Sequence, residues 1–147
     1  QNLTQSALTE MRALIWQLRP QGLESGLIDA IKAYAEMLKI QLTIHVSGVI
    51  QFPSRVEETL FRIAQEALNN VRKHSGVQEA TIYLTMTQRD ILFVIKDEGR
   101  GFIMDNDAKI PSIGMQSIRD RASAIGGTVD WVSEIGKGTE LLVRLPY

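Results

Sequence analysis

The stretch "FRIAQEALNNVRKHSG", Phe61 to Gly76, decides how this chain is read. At 100° per residue, Leu60, Ile63, Ala64, Ala67, Leu68 and Val71 share one helical face, which must point into a core. Arg62, Glu66, Asn70 and Lys73 fall together on a neighbouring stripe. Asn69 lies about 100° from Asn70, so the two asparagines cannot do the same job, and Asn69 is expected at the surface. The stripe admits two readings. One is an exposed polar row in which Arg62 and Glu66 form an i,i+4 ion pair. The other is a site where Asn70 offers its carbonyl oxygen to a hard cation, Lys73 meets phosphate, and Glu66 orients or deprotonates a nucleophile.

Upstream, "ALTEMRALIWQLRP" repeats Leu8, Met11, Ile15 and Leu18 at helical spacing until Pro20 stops it. That seam suits either a helix on the domain's own core or the end of a dimerisation helix. A second helix in "ESGLIDAIKAYAEMLKI" puts Leu27, Ile31, Tyr34 and Leu38 on one face. "QLTIHVSG" alternates Leu42, Ile44 and Val46 against Gln41, Thr43 and His45, the pattern of a half-buried strand with His45 on its polar side. Downstream, "ATIYLTMT" and "ILFVIKD" flank the turn "QRD" as a hairpin. From Glu98 to Ile113 periodicity is lost, predicting a long functional or mobile loop. "GMQSIRDRASAIGG" then reads as a helix with a glycine stop, and "TVDWVS" and "TELLVRLP" as a closing pair of strands around "EIGKG". The order predicts an α+β two-layer sandwich, helices on one face of a mainly antiparallel mixed sheet.

Three further features concentrate near the strand ends and the last helix. In "IKDEGRGF", Asp97 closes a strand directly before Gly99 and Gly101, so a carboxylate able to accept from an exocyclic amine stands beside backbone that can approach a ligand closely. Gly114 precedes a helical turn whose free N–H groups suit a phosphate. "GKGTE" sets Thr139 at the start of a strand. Taken singly, each is equally a plain turn or loop entry.

Composition narrows the class. With 147 residues, 44% of them hydrophobic, there is room for one domain with a real core and little room for two. Sixteen basic against seventeen acidic residues leave a net charge of −1, which gives no electrostatic footprint for nucleic acid or anionic membrane. The absence of cysteine removes disulfides and thiolate chemistry and suits a reducing, cytoplasmic setting. The longest purely apolar run, "ILFVI", is too short to cross a bilayer. Because the chain starts at Gln1 with residues that already read as helix, it is expected to be a fragment of a longer, soluble or membrane-bound protein.

In this order, "FRIAQEALNNVRKHS", "DEGRGF", "SIGMQSIRDRASAIGG" and "GKGTELLVRLP" resemble the N box, G1 box, G2 region and closing hairpin of the ATP-binding catalytic domain of bacterial two-component sensor histidine kinases. That domain belongs to the ATPase superfamily shared with gyrase, a mismatch-repair ATPase and a heat-shock chaperone. Together with "LIWQLRPQGLESGLIDAI", the motifs look like the subfamily of nitrate-responsive, cell-wall-stress and membrane-fluidity sensors, from about Ala7 onward. The resemblance implies ATP and Mg²⁺ as ligands and a role for each matching residue. Asn70 would ligate Mg²⁺, Lys73 and His74 would contact phosphate, and Glu66 would assist phosphoryl transfer. Asp97 would bind the adenine amine, Gly99 and Gly101 would shape the pocket, Gly114 would hinge a lid with Met115 beside it in the nucleotide site, and Thr139 would lie near the adenine. Residues 1–20 would be the end of the second dimerisation helix and 21–147 the ATP-binding domain. The implied partners are the phosphoacceptor hairpin of the parent kinase, homodimeric at full length, and a response regulator. Neither His45 nor His74 matches the phosphoacceptor motif. An anti-sigma-factor-type serine kinase and a non-catalytic nucleotide-binding regulatory module are the alternatives.

Overall fold

A computed structural model describes residues 26–48, 52–101 and 113–146. The helix expected to end at Pro20 lies outside the described residues, as does most of the loop expected between Glu98 and Ile113. Within them the chain runs α1 (Leu27–Met37), β1 (Gln41–Ser47), α2 (Ser54–Asn70), a π-helical turn (Val71–Ser75), β2 (Glu79–Met86), β3 (Asp90–Asp97), α3 (Ile113–Ala124), β4 (Thr128–Glu134) and β5 (Gly138–Pro146). The strands form one sheet in the order β1-β2-β3-β5-β4. β1 runs parallel to β2 and every other pair is antiparallel. This is the α+β sandwich with a mixed, mainly antiparallel sheet that the periodicities predict.

Local chemistry explains the elements. Pro53 sits at the N-cap of α2, where its missing amide hydrogen costs no helical bond and its carbonyl accepts the Glu57 amide at 3.1 Å. In the β2–β3 turn, Thr87 Oγ1 accepts from the amide of Asp90 at 3.0 Å, substituting for a ladder bond where the strands separate. At the end of α3, Gly126 takes φ +81° and the Gly127 amide reaches back to the carbonyl of Ala122 at 2.8 Å, closing the helix.

Alternate residues of the strands and one face of each helix meet in a single core, with Ile82, Leu84, Phe93, Val143 and Leu145 from the sheet against Ile31, Leu60, Ile63, Leu68 and Ile118 from the helices. The six residues expected on the inner helical face are all buried, five of them in α2 and Val71 in the π-turn that follows it. The buried surface is wider than that face, however, and also takes in Phe61, Gln65 and Asn69. These three, spaced four apart, form the row beside α1, where Tyr34 meets Phe61 edge-on at 6.4 Å between ring centroids. Asn69 is therefore not a surface residue: it is 7% exposed and its Nδ2 donates to Tyr34 Oη at 2.7 Å. Because α2 is covered by α1 on one side, by α3 on another and by the sheet below, a single-face projection under-counts its interior. Val46 departs the other way. It lies near the end of edge strand β1 and is 42% exposed.

Candidate nucleotide site

α2 does not remain α-helical to its end. After Asn70 it widens into the π-turn, stabilised where Ser75 Oγ donates to the Val71 carbonyl at 2.6 Å, and it stops at Gly76 with φ +80°. Single π-turns in helices recur at functional sites because the extra residue redirects the side chains beyond it. Here they carry Lys73 and His74 to the mouth of a cavity of about 380 Å³.

The opposite wall is the end of β3. Asp97 pairs in register with Thr139 of β5, which in turn pairs with Ser133 of β4. Asp97 Oδ1 accepts the Gly99 amide at 2.9 Å, and the Thr139 and Ser133 hydroxyls lie 2.8 Å apart. Burial pushes the Asp97 carboxyl above the ordinary aspartate range, and hydrogen bonds from the backbone amides of Gly99 and Thr139 pull against that rise. A half-buried acceptor thus faces the cavity with its orientation set by backbone.

The glycines hold these parts together. A Cβ on Gly99 would run into the carbonyl oxygen and Cβ of Ser75, and one on Gly101, whose φ is +65°, would strike the Glu134 carbonyl. The Arg100 amide donates to the Ser75 carbonyl at 2.8 Å and the Arg100 carbonyl accepts from Gly136 at 2.8 Å. The π-turn, the β3 exit and the β4–β5 turn are therefore one bonded junction.

Of the ten residues singled out from sequence, Asn70, Lys73, His74, Asp97, Gly101, Met115 and Thr139 line this cavity. Gly99 is buried behind it against Ser75. Gly114 lies in the first turn of α3. Glu66 sits one turn before Asn70, half-buried. Burial raises its carboxyl above the usual range, while Arg121 on α3 and then Lys73 oppose the shift. Sequence reasoning missed Ser75, Arg100 and Trp131, which also line the cavity. Arg100 carried a signal, lying between the two glycines of the motif. Trp131 carried one as well, since strand alternation puts it on the same face as the buried Val129. Nothing local in the sequence marked Arg121, which meets the α2 stripe only through the packing of α3 on α2.

Among the described residues no group of three or more His, Cys, Asp or Glu side chains comes together. A divalent cation at Asn70 would therefore need oxygens of a ligand to complete its shell, which suits a phosphate-bridging ion and not an all-protein site. The cavity's size, a cationic end at Lys73, an oriented acceptor at Asp97 and glycines where backbone must come close fit a nucleoside polyphosphate with its metal.

Residues 55–147 match the family described as histidine kinase-, DNA gyrase B- and HSP90-like ATPases. Across 146 residues the chain is 42% identical to the sensor histidine kinase YhcY of Bacillus subtilis, covering 99% of this chain and 38% of that protein. It is 35% identical over 151 residues to the sensor histidine kinase LiaS of the same organism, covering 99% of this chain and 41% of that one. To the sensor protein VraS of Staphylococcus haemolyticus it is 36% identical over 150 residues, with 99% and 43% covered. The chain thus spans about two fifths of the length of these curated relatives. Among solved structures, the histidine kinase domain of a blue-light activated histidine kinase from Erythrobacter litoralis superposes with a TM-score of 0.65 at 17% identity, over 82% of this chain and 60% of that one, which establishes the shared fold.

Proposed function

This chain belongs to the histidine kinase-, DNA gyrase B- and HSP90-like ATPase family, and on that premise we propose that it is the ATP-binding kinase domain of a sensor histidine kinase. Its reaction is transfer of the ATP γ-phosphate to a histidine on a dimerisation hairpin, for relay to a response regulator in the cytoplasm. Residues 1–20 are assigned to the end of that hairpin's second helix and 21–147 to ATP binding.

The observation that carries the reading is the convergence of Asn70 and Lys73 from α2 and its π-turn with Asp97 and Thr139 from the sheet on one cavity. Asp97 accepts from the adenine amine and Thr139 supports that end. Gly101 lets the backbone pass close, and Lys73 and His74 hold phosphate oxygens. Asn70 ligates Mg²⁺ through its carbonyl oxygen. Magnesium held there would supply charge neutralisation at the phosphate oxygens, and the chain's own contribution is positioning and electrostatic stabilisation. Glu66, made more basic than an ordinary carboxylate by burial, orients or deprotonates the incoming nucleophile. Gly114 and Met115 belong to the phosphate side of the site at the start of α3.

Two measurements test the proposal together: calorimetric titration with Mg-ATP, and labelling by γ-labelled ATP of a separately supplied hairpin from the parent kinase. Binding with transfer to the hairpin is expected. Binding without transfer would reduce the domain to a nucleotide-binding module, and no binding would end the proposal.

A further inference from the structure

Trp131 has no part in the roles assigned so far. It stands on the inner face of β4, opposite Leu141 of β5 and one inward-facing position from Ser133, whose partner Thr139 is opposite Asp97. Its neighbour Val129 on that face is buried, but Trp131 is only partly so, because part of its surface lines the cavity with Met115. From α3, the guanidinium carbon of Arg119 lies 5.4 Å from the centroid of the indole. A cation at that distance covers one aromatic face and holds the ring orientation. The Asp97 corner therefore adjoins a large aromatic surface already fixed by a partner on another element. A polar edge set with an apolar wall beside it is how a flat heteroaromatic ring is recognised: hydrogen bonds read its edge and the wall takes its face.

Resting on the assignment of ATP to this cavity, we infer that Trp131 is a specificity-determining residue that contacts the nucleobase, with Arg119 holding the indole in place. Phosphate recognition by Lys73 is independent of it. A purely structural tryptophan and a base-contacting one differ in what their loss does to a ligand without a base.

The test compares Mg-ATP with Mg-tripolyphosphate binding by calorimetry on the full chain, for the unmodified protein, Trp131→Phe and Trp131→Ala. Removing the indole is expected to weaken ATP binding about tenfold while leaving tripolyphosphate affinity unchanged, with Phe recovering most of the loss. Equal losses for the two ligands, or no loss for ATP, would overturn the inference. Should Trp131→Ala fail to fold, the Trp16→Phe background leaves Trp131 as the sole tryptophan. Its emission is then expected to change on adding Mg-ATP and not on adding Mg-tripolyphosphate, and a response shared by both ligands or absent for ATP would sink the idea. Failure of the unmodified chain to bind ATP while binding tripolyphosphate would instead remove the nucleotide reading, and this inference with it.

Discussion

Asn69 and Asn70 are adjacent, yet the fold gives them different neighbours. Asn70 lines the cavity, while Asn69 is committed to Tyr34 across the α1–α2 interface. Asn70→Ala should abolish the magnesium dependence of nucleotide binding at nearly unchanged stability. Asn69→Ala should instead leave that dependence intact and cost about 1–3 kcal/mol in chemical denaturation, because it removes a buried hydrogen bond. A double-mutant cycle with Tyr34→Phe should show that the two losses are not additive. For Asp97→Asn, an acceptor becomes a donor facing another donor, and ATP affinity should fall roughly ten- to a hundredfold by calorimetry. Glu66 supplies a pH test. Its folded-state pKa is raised, chiefly by burial, so the folded state binds the proton more tightly than the unfolded state and ionisation works against the fold. The stability this group contributes is fully present below the ordinary glutamate range and lost as pH rises through the folded-state value. Glu66→Gln should therefore melt higher than the unmodified protein at neutral pH. That gap should narrow on acidification and close below about pH 4. A gap that stays constant with pH would mean that desolvation does not govern Glu66.

Among the elements, the π-turn is the one that helical periodicity could not reveal. A 100° projection runs straight through Val71–Ser75, whereas the chain inserts an extra residue there and ends at Gly76. The widening is held by Ser75, which bonds Val71 through its hydroxyl and Arg100 through its carbonyl. Gly99→Ala would press a methyl group into Ser75, so it should cost about 1–3 kcal/mol of unfolding free energy and weaken ATP binding as well. Ser75→Ala keeps the backbone bond and loses the hydroxyl's bonds to the Val71 carbonyl and from the Val77 amide, at about 1–3 kcal/mol. Thermal melts and ATP titrations on the same two variants check both halves. If Gly99→Ala were silent in both assays, the junction would not be what positions Lys73 and Asp97.

At the level of the whole molecule, the sheet separates the two histidines. His74 lines the cavity, whereas His45 stacks on Tyr83 at 5.0 Å between centroids, on the side of β1 and β2 away from the buried residues. In-line phosphoryl transfer requires the acceptor nitrogen at contact distance from the γ-phosphate. His45 cannot reach the cavity without opening the sheet, and His74 would have to leave the turn that holds the donor. Incubated alone with ATP, the chain should therefore form no acid-labile phosphohistidine, yet it should phosphorylate a hairpin that carries the acceptor. Self-labelling lost in His74→Ala would contradict this.

The alternating runs of β2, β3 and β5, the glycine stop after α3 and the inner face of α2 were legible in the sequence because each depends on neighbours two to four residues away. So were most of the cavity residues, whose motifs keep short spacings: Asn70 with Lys73, Asp97 with Gly99 and Gly101. What the sequence could not show is what meets across elements. Asn69 is buried because Tyr34 lies 35 residues earlier on another helix. Trp131 borders the cavity because β5 lies between β4 and β3 and brings Ser133, Thr139 and Asp97 into one line. Arg121 reaches Glu66 only through helix packing. Side-chain period is a property of the backbone, whereas burial, pKa and cavity walls depend on which surfaces the folded chain brings face to face.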